Sequence, residues 1–293
     1  MSVSVEATPY EALGRPIRGP QALTDDWSRL WHLTFNIART QWKLRFFGSV
    51  LGYFWQLMRP LLMFAVLWVF FTKIGRIGDQ KGPGFEHYGA QLLGSIVLFT
   101  FFAEATSGAV RGVVENEALV RKIQFPRIVI PLSTVLLAMF NLGLNLVVVL
   151  IFALGSGVRP MLTWLELPLL VLLLALFAAG LAMLLSSLYV YFRDIAPIWE
   201  VISQILFYAS PVIVPYMTVA RKVSPTVLHI YTLSPLTAIF QQFRHAIITH
   251  AAPPPSVALG YLGFLEPIAV VLAFFALGFV VFNRTAPYVA DNL

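Results

Sequence analysis

Six apolar runs, each long enough to cross a hydrocarbon core, constrain this chain more than any other feature of it. They cover residues 57–73, 91–111, 128–154, 165–190, 196–214 and 257–282. A spanning helix needs about 20 mostly apolar residues, with about 17 as the lower limit. Inside hydrocarbon every backbone group must be paired within its own segment, which selects helices. The expected fold is therefore all-α: a polytopic membrane protein with six transmembrane helices. Only 12% of the residues are charged and the mean hydropathy is +0.79, against about 25% charged in a soluble domain. Cysteine is absent, which excludes a disulfide framework, a thiolate metal site and a cysteine nucleophile. The net charge of +6 serves topology and anionic headgroups in such a chain, not nucleic acid.

Residues 1–26 are polar and rich in proline and glycine. They read as a mobile cytoplasmic tail, not as a cleaved signal peptide. Residues 27–284 form one transmembrane domain and 285–293 a second short tail. Trp27, Trp31, Phe35, Ala38 and Trp42 recur at helical spacing through 27–46, with Arg29, Arg39 and Lys43 on other faces. That pattern predicts an amphipathic helix in the membrane interface. Gly48, Ser49 and Gly52 bend the chain into the first span, and Pro60 sits near its start, where a missing N–H costs little. Before the last span, 226–233 and 236–248 are apolar but too short to cross, so each suits a re-entrant or interfacial helix.

Six spans put both termini on one side. With the N-terminus inside, thirteen of the twenty Lys and Arg residues lie on the inner side and seven, Arg244 among them, in outer loops. The positive-inside rule then favours cytoplasmic termini. Glu104 falls within the second span. A carboxyl there costs about 2.5–3.5 kcal/mol on insertion scales, so it is either a paired structural group or a pathway-lining one.

The most charged interior stretch runs from Glu115 to Pro131, between the second and third spans. Glu115, Glu117, Arg121 and Lys122 surround an apolar edge at Leu119 and Ile123, and Pro126 forbids helix continuation after Phe125. A short amphipathic helix hung between two spans is a docking element. Its alternative is a solvated loop that carries positive charge for topology alone.

No Gly-Lys dipeptide occurs, so there is no phosphate-loop lysine, and neither a His-Glu-x-x-His zinc motif nor a Gly-x-Ser-x-Gly elbow is present. The chain reads as a membrane pathway with a cytoplasmic docking element and no energy-converting site. That is a permease driven by a separate subunit, not an enzyme.

Four segments then resemble one family. Leu44 to Leu62 is similar to the entry signature of ABC-2-type polysaccharide exporter permeases, and Leu119-Val120-Arg121-Lys122-Ile123-Gln124-Phe125-Pro126 to their coupling segment. Tyr191-Phe192-Arg193-Asp194-Ile195 and Phe207-Tyr208-Ala209-Ser210-Pro211 are similar to later signatures, while Ser234-Pro235-Leu236 departs from the family's Asn-Pro-Leu. The resemblance covers 27–284. It implies a homodimer with two copies of an ATP-binding subunit, in a bacterial cytoplasmic membrane, moving a polyprenyl-linked polysaccharide such as O-antigen, teichoic acid, capsule or cell-wall galactan. It also implies that no cofactor is bound by this chain, with ATP and Mg in the partner subunit. The implied coupling residues are Glu115, Glu117, Leu119, Val120, Arg121, Lys122, Phe125, Arg193 and Asp194.

Aromatic rings stack on the apolar faces of sugars without fixing one register, which suits a sliding chain. Phe99, Phe101, Phe102, Phe207, Tyr208 and Tyr216 are candidate channel residues, with ordinary helix packing or lipid contact as the alternative. Arg39, Lys43, Arg45 and Arg59 are candidates for the lipid pyrophosphate, with positive-inside topology as theirs. The rival functions are an ABC-2 permease for a drug or small lipid, an ATPase-independent glycan flippase, and a membrane glycosyltransferase. The last would need an acidic metal motif that the sequence lacks.

Overall fold

The computed structural model describes residues 27–46, 50–74, 85–116, 126–260 and 263–286, and among them the chain is helical with no strand. The long helices are α1 (Trp27–Phe46), α2 (Val50–Val69, continued by a π-helical turn Phe70–Ile74), α3 (Tyr88–Glu115), α4 (Val129–Gly155) and α5 (Leu167–Tyr191, entered by a 3-10 turn Leu162–Glu166). Then follow α6 (Ile195–Ala209), α7 (Tyr216–Ala220), α8 (Pro225–Leu233), α9 (Pro235–Phe243, continued by a π turn Arg244–Ile248), α10 (Ser256–Leu259) and α11 (Leu265–Thr285).

Five of the six expected spans are helices long and apolar enough to cross a membrane: 54–74, 88–115, 129–155, 162–191 and 265–285. The segment expected to span over 196–214 is shorter. Its helix, α6, has 15 residues, about 22 Å of rise against a hydrocarbon core of about 30 Å. Pro211 and Pro215 explain the stop, since neither can donate the bond that would extend it. The last span starts later than 257, because Gly260, at φ 82°, separates α10 from α11.

α3 and α5 form the centre of the bundle; α2 and α11 are mostly exposed flanks. The backbones of α5 and α11 meet at Gly180 and Gly278, where a Cβ on Gly180 would lie 2.7 Å from Cα of Phe275. Small residues permit that approach, and close packing is what holds helices together where burial from water is not available. α9 and its π turn enter the core as a wedge: Leu236, Ile239, Phe240, Phe243 and Ile247 are all buried. Thr163 and Trp164 bond the carbonyls of Ala246 and Ile247, at 2.5 and 3.0 Å, and Gln242 donates to Glu166 at 2.7 Å. These tie the wedge to the turn that opens α5.

At the opposite end Leu30 of α1 is buried among Val113, Ile128, Val129, Val190 and Phe282. This joins the start of α1 to the end of α3, the start of α4, the end of α5 and the end of α11. α1 has the expected bounds. Leu30, Thr34 and Ala38 are its buried stripe, whereas Trp31 and Phe35 of the aromatic stripe are exposed. α1 runs beside α4, with Phe35 and Trp42 both edge-on to Phe140.

Candidate functional site

The polar centre of the bundle is Glu104, midway along α3. Its Oε1 accepts from Arg45 Nη1 at 2.5 Å and from Asn141 Nδ2 at 2.8 Å; Oε2 lies 3.5 Å from Gln56 Nε2. Asn141 accepts in turn from the Trp42 indole at 3.2 Å. One carboxylate thus joins α1, α2, α3 and α4. Of the two readings open to an intramembrane glutamate, this geometry is the paired one: the charge meets a guanidinium and an amide, which offsets its desolvation.

A groove of about 260 Å³ begins at this pair. Arg45 and Glu104 lie at one end, Glu115 and Asn116 at the other, and Gly108 and Gly112 floor it. A Cβ on Gly108 would lie 2.9 Å from Thr134 of α4, so the glycines set how closely α3 and α4 approach. A second crevice, of about 250 Å³, lies between the last third of α3 and α6, where Arg111 and Glu200 face it beside Trp199. The Trp199 indole donates to Thr106 at 3.2 Å.

Of the coupling candidates, Glu117, Leu119, Val120, Arg121, Lys122 and Phe125 lie outside the described residues. Glu115 is exposed in the last turn of α3. Arg193 and Asp194 are exposed in the turn between α5 and α6, with the Arg193 guanidinium 5.2 Å from the centre of the Tyr189 ring. The packing of α3 on the first turns of α6 brings Glu115 and this turn to the same end of the bundle. Pro126, the expected helix stop, opens a turn into α4 whose first bond runs from the Val129 N–H to its carbonyl.

The channel candidates separate by exposure. Phe99, Phe101, Phe102 and Phe207 are buried in the core; Phe99 packs edge-on against Phe207 at 5.0 Å, and Phe102 stacks on Phe177 at 5.5 Å. Tyr216 is buried too and shares a 2.8 Å hydrogen bond with Thr232. Burial raises its phenol above the ordinary value, and the Thr232 bond opposes the rise. In this chain these five rings are packed against neighbouring helices. Tyr208, 73% exposed, presents its ring outward.

The basic candidates separate as well. Arg39, Lys43, Arg45 and Arg59 are all exposed, and Arg45 is held by Glu104. Arg244, expected in an outer loop, is instead a fully buried guanidinium. Its Nη2 donates to the carbonyls of Pro211 and Val212, the latter at 3.1 Å, and to Ser95 at 3.2 Å. It pins the break after α6 to α3. Sequence reasoning missed Asn141, Gln56 and this role of Arg244. Polar residues inside apolar runs were the signal that could have found the first two.

Over residues 32–248 the sequence matches the family described as ABC-2 type transporter. An O-antigen export system permease protein RfbA of Klebsiella pneumoniae is 24% identical over 257 residues, 87% of this chain and 92% of the relative. A protein of the same name from Myxococcus xanthus is 24% identical over 240 residues, 82% of this chain and 88% of its own.

Proposed function

The chain belongs to the ABC-2 type transporter family, and we propose that it is the membrane permease of an exporter that moves a lipid-linked polysaccharide, powered by ATP hydrolysis in a separate subunit. The observation that carries the substrate class is the nearly end-to-end similarity to relatives named for O-antigen export. The sequence lacks a phosphate-loop lysine, which supports the reading that ATP and Mg are bound by the partner.

In this reading two copies of the chain enclose the pathway, and the termini face the cytoplasm of a bacterial cell. The inner-side excess of Lys and Arg supports that orientation. The partner ATPase would press on the segment 117–125 and on the Arg193-Asp194 turn. The exposed Glu115 at the end of α3 adjoins that segment. A displacement entering there would travel along α3 toward Glu104 and, through its partners, reach α1, α2 and α4. Tyr208 would offer a stacking face, and the exposed Arg39, Lys43 and Arg59 would meet phosphate charge at the inner surface.

The test is reconstitution of the chain with its ATP-binding subunit in vesicles loaded with lipid-linked glycan. ATP-dependent movement of the glycan to the far leaflet is expected. Movement without the ATPase would make the chain a stand-alone flippase, and transport of only drugs or small lipids would place it with the other ABC-2 permeases.

A further inference from the structure

The end of the bundle away from Glu115, where α3 and α5 begin, holds two histidines that the export reading does not use. His245 lies in the π turn after α9 and His250 in the turn that follows. Neither helical nor strand periodicity brings two such positions onto one face. Thr249, extended at φ −158°, ends the π turn, and the Ala252 N–H closes a turn onto its carbonyl at 3.1 Å. The two ring centres then lie 5.1 Å apart, with their planes tilted by 34°. His245 is half-buried and His250 is exposed.

Each ring has one nitrogen committed, and the partners fix which. His245 Nδ1 lies 2.7 Å from the Ala252 carbonyl. A carbonyl can only accept, so Nδ1 carries the proton and the lone pair is on Nε2. His250 Nε2 lies 3.2 Å from the Thr163 hydroxyl. That hydroxyl has one proton and gives it to the Ala246 carbonyl at 2.5 Å, so it accepts from Nε2–H and leaves the His250 lone pair on Nδ1. Two neighbouring imidazoles therefore each present one lone pair, with the opposite N–H anchored on an oxygen. Metal-ligating histidines show this arrangement, in which the outer hydrogen bond sets tautomer and ring orientation.

We propose that His245 and His250 bind a late first-row divalent cation, with Thr163 as the residue that positions His250. Metal–imidazole bonds of about 2.0–2.1 Å place two ligating nitrogens within about 4 Å of each other, a span that fits rings at this separation. No third His, Asp or Glu joins them among the described residues; Glu86 accepts instead from Thr249, at 2.9 Å. A structural zinc site takes four protein ligands, so this one is open, completed by water, and exchangeable. Imidazole favours copper and zinc, and copper(II) heads the affinity order. Bound metal would clasp the return of the chain after the wedge, and through Thr163 hold it to the turn that opens α5. In the orientation proposed above this end faces the cell exterior, where the site meets ions of the medium. The site does not depend on what the permease carries.

The experiment is calorimetric titration of the untagged, chelator-stripped full chain in mild detergent with copper(II), zinc(II) and magnesium(II), each alone. Saturable uptake of one copper(II) per chain is expected, weaker uptake of zinc(II), and none of the oxygen-seeking magnesium(II). Electron paramagnetic resonance of the copper form should show nitrogen ligands, and bound metal should raise the melting temperature. His250→Gln should abolish saturable uptake, and Thr163→Val should weaken it about tenfold, the effect of losing an outer hydrogen bond to a ligand. His32→Gln, in α1, should leave it unchanged. Absence of saturable uptake would overturn the proposal, as would uptake that survives His250→Gln or a copper spectrum without nitrogen ligands. Should His245→Gln fail to fold, His250→Gln decides, since its ring is exposed and its replacement leaves the wedge packed.

Discussion

Arg45 and Glu104 lie 59 residues apart in the chain and meet at 2.5 Å, the guanidinium at the end of α1 and the carboxylate in the middle of α3. The pair is partly exposed, 47% and 22% for the two side chains, so its Coulomb energy is screened and its worth modest. Its significance is positional: it closes the loop from the amphipathic helix back to the bundle, at the inner limit of a groove that begins beside Glu115.

Glu104→Ala should lower stability by about 1–2 kcal/mol. Two good hydrogen bonds and one long one are lost, and bonds of this kind average about 0.6 kcal/mol each in membrane proteins. Glu104→Gln, which keeps an acceptor for Asn141, should cost less. A double-mutant cycle of Arg45→Ala with Glu104→Ala, read by unfolding in detergent, should give a coupling of about 0.5–1 kcal/mol. A coupling of zero would mean that the two groups do not act together.

Gly278→Leu should destabilise the chain strongly. A side chain there would run into the Gly180 backbone of α5, and overpacking costs about 1–3 kcal/mol or more where backbones must separate. Gly143→Ala is the matched control, since its Cβ meets nothing; it should change stability by less than about 0.5 kcal/mol. Thermal unfolding of both proteins, with expression level as a second reading, checks the contrast.

Arg244→Met should loosen the break between α6 and α7. The carbonyls of Pro211 and Val212 would lose their guanidinium donor inside the core, and a buried polar group left without a partner costs about 1–3 kcal/mol. Arg244→Lys restores the charge on a shorter arm than the one that carries Nη2 to Ser95 and both carbonyls, so it should rescue only in part. Hydrogen exchange across 210–215 should accelerate in both variants, more in the methionine one. Unchanged exchange would remove the pinning role.

The linear pattern carried much of this architecture and little of its sidedness. The amphipathic helix has the expected bounds, Trp27–Phe46. The short piece expected at 226–233 is α8, Pro225–Leu233, and the third span expected at 128–154 is α4, Val129–Gly155. Length, proline and charge set such boundaries, and all three are local. Which face turns inward is not local. Lipid tails are as apolar as a protein core, so periodicity alone could not say that Leu30 and Ala38 face the bundle while Trp31 faces out. Likewise it could not separate the buried Phe102 from the exposed Tyr208. Arg244 was misplaced because a cation in an apolar run reads as a loop residue unless the carbonyls freed by Pro211 are seen to need it. Asn141 was passed over because one amide barely interrupts a hydropathy window, although it is the donor that Glu104 requires.

Leu119→Asp should uncouple the chain from its ATPase while leaving the bundle intact. The segment 117–125 lies outside the described residues, so the expectation rests on its sequence and on what flanks it. Glu115 and Asn116 end α3 on one side, and Pro126 opens the turn into α4 on the other. Both flanks lie at the end of the bundle where the Arg193-Asp194 turn is exposed. Leu119 is an apolar position among Glu117, Arg121 and Lys122, and an apolar residue in a charged segment between two spans needs cover from a partner. Truncation at a central interface position often costs more than about 2 kcal/mol, and an unpaired charge should cost at least as much. No spanning helix is altered, so insertion and melting temperature should match the wild type. Pull-down of the ATP-binding subunit should fall at least about thirtyfold, the equivalent of that energy, and polymer export should stop. If both persist at normal expression, the charges of 115–131 serve topology alone and the force enters elsewhere, with the Arg193-Asp194 turn the next site to test.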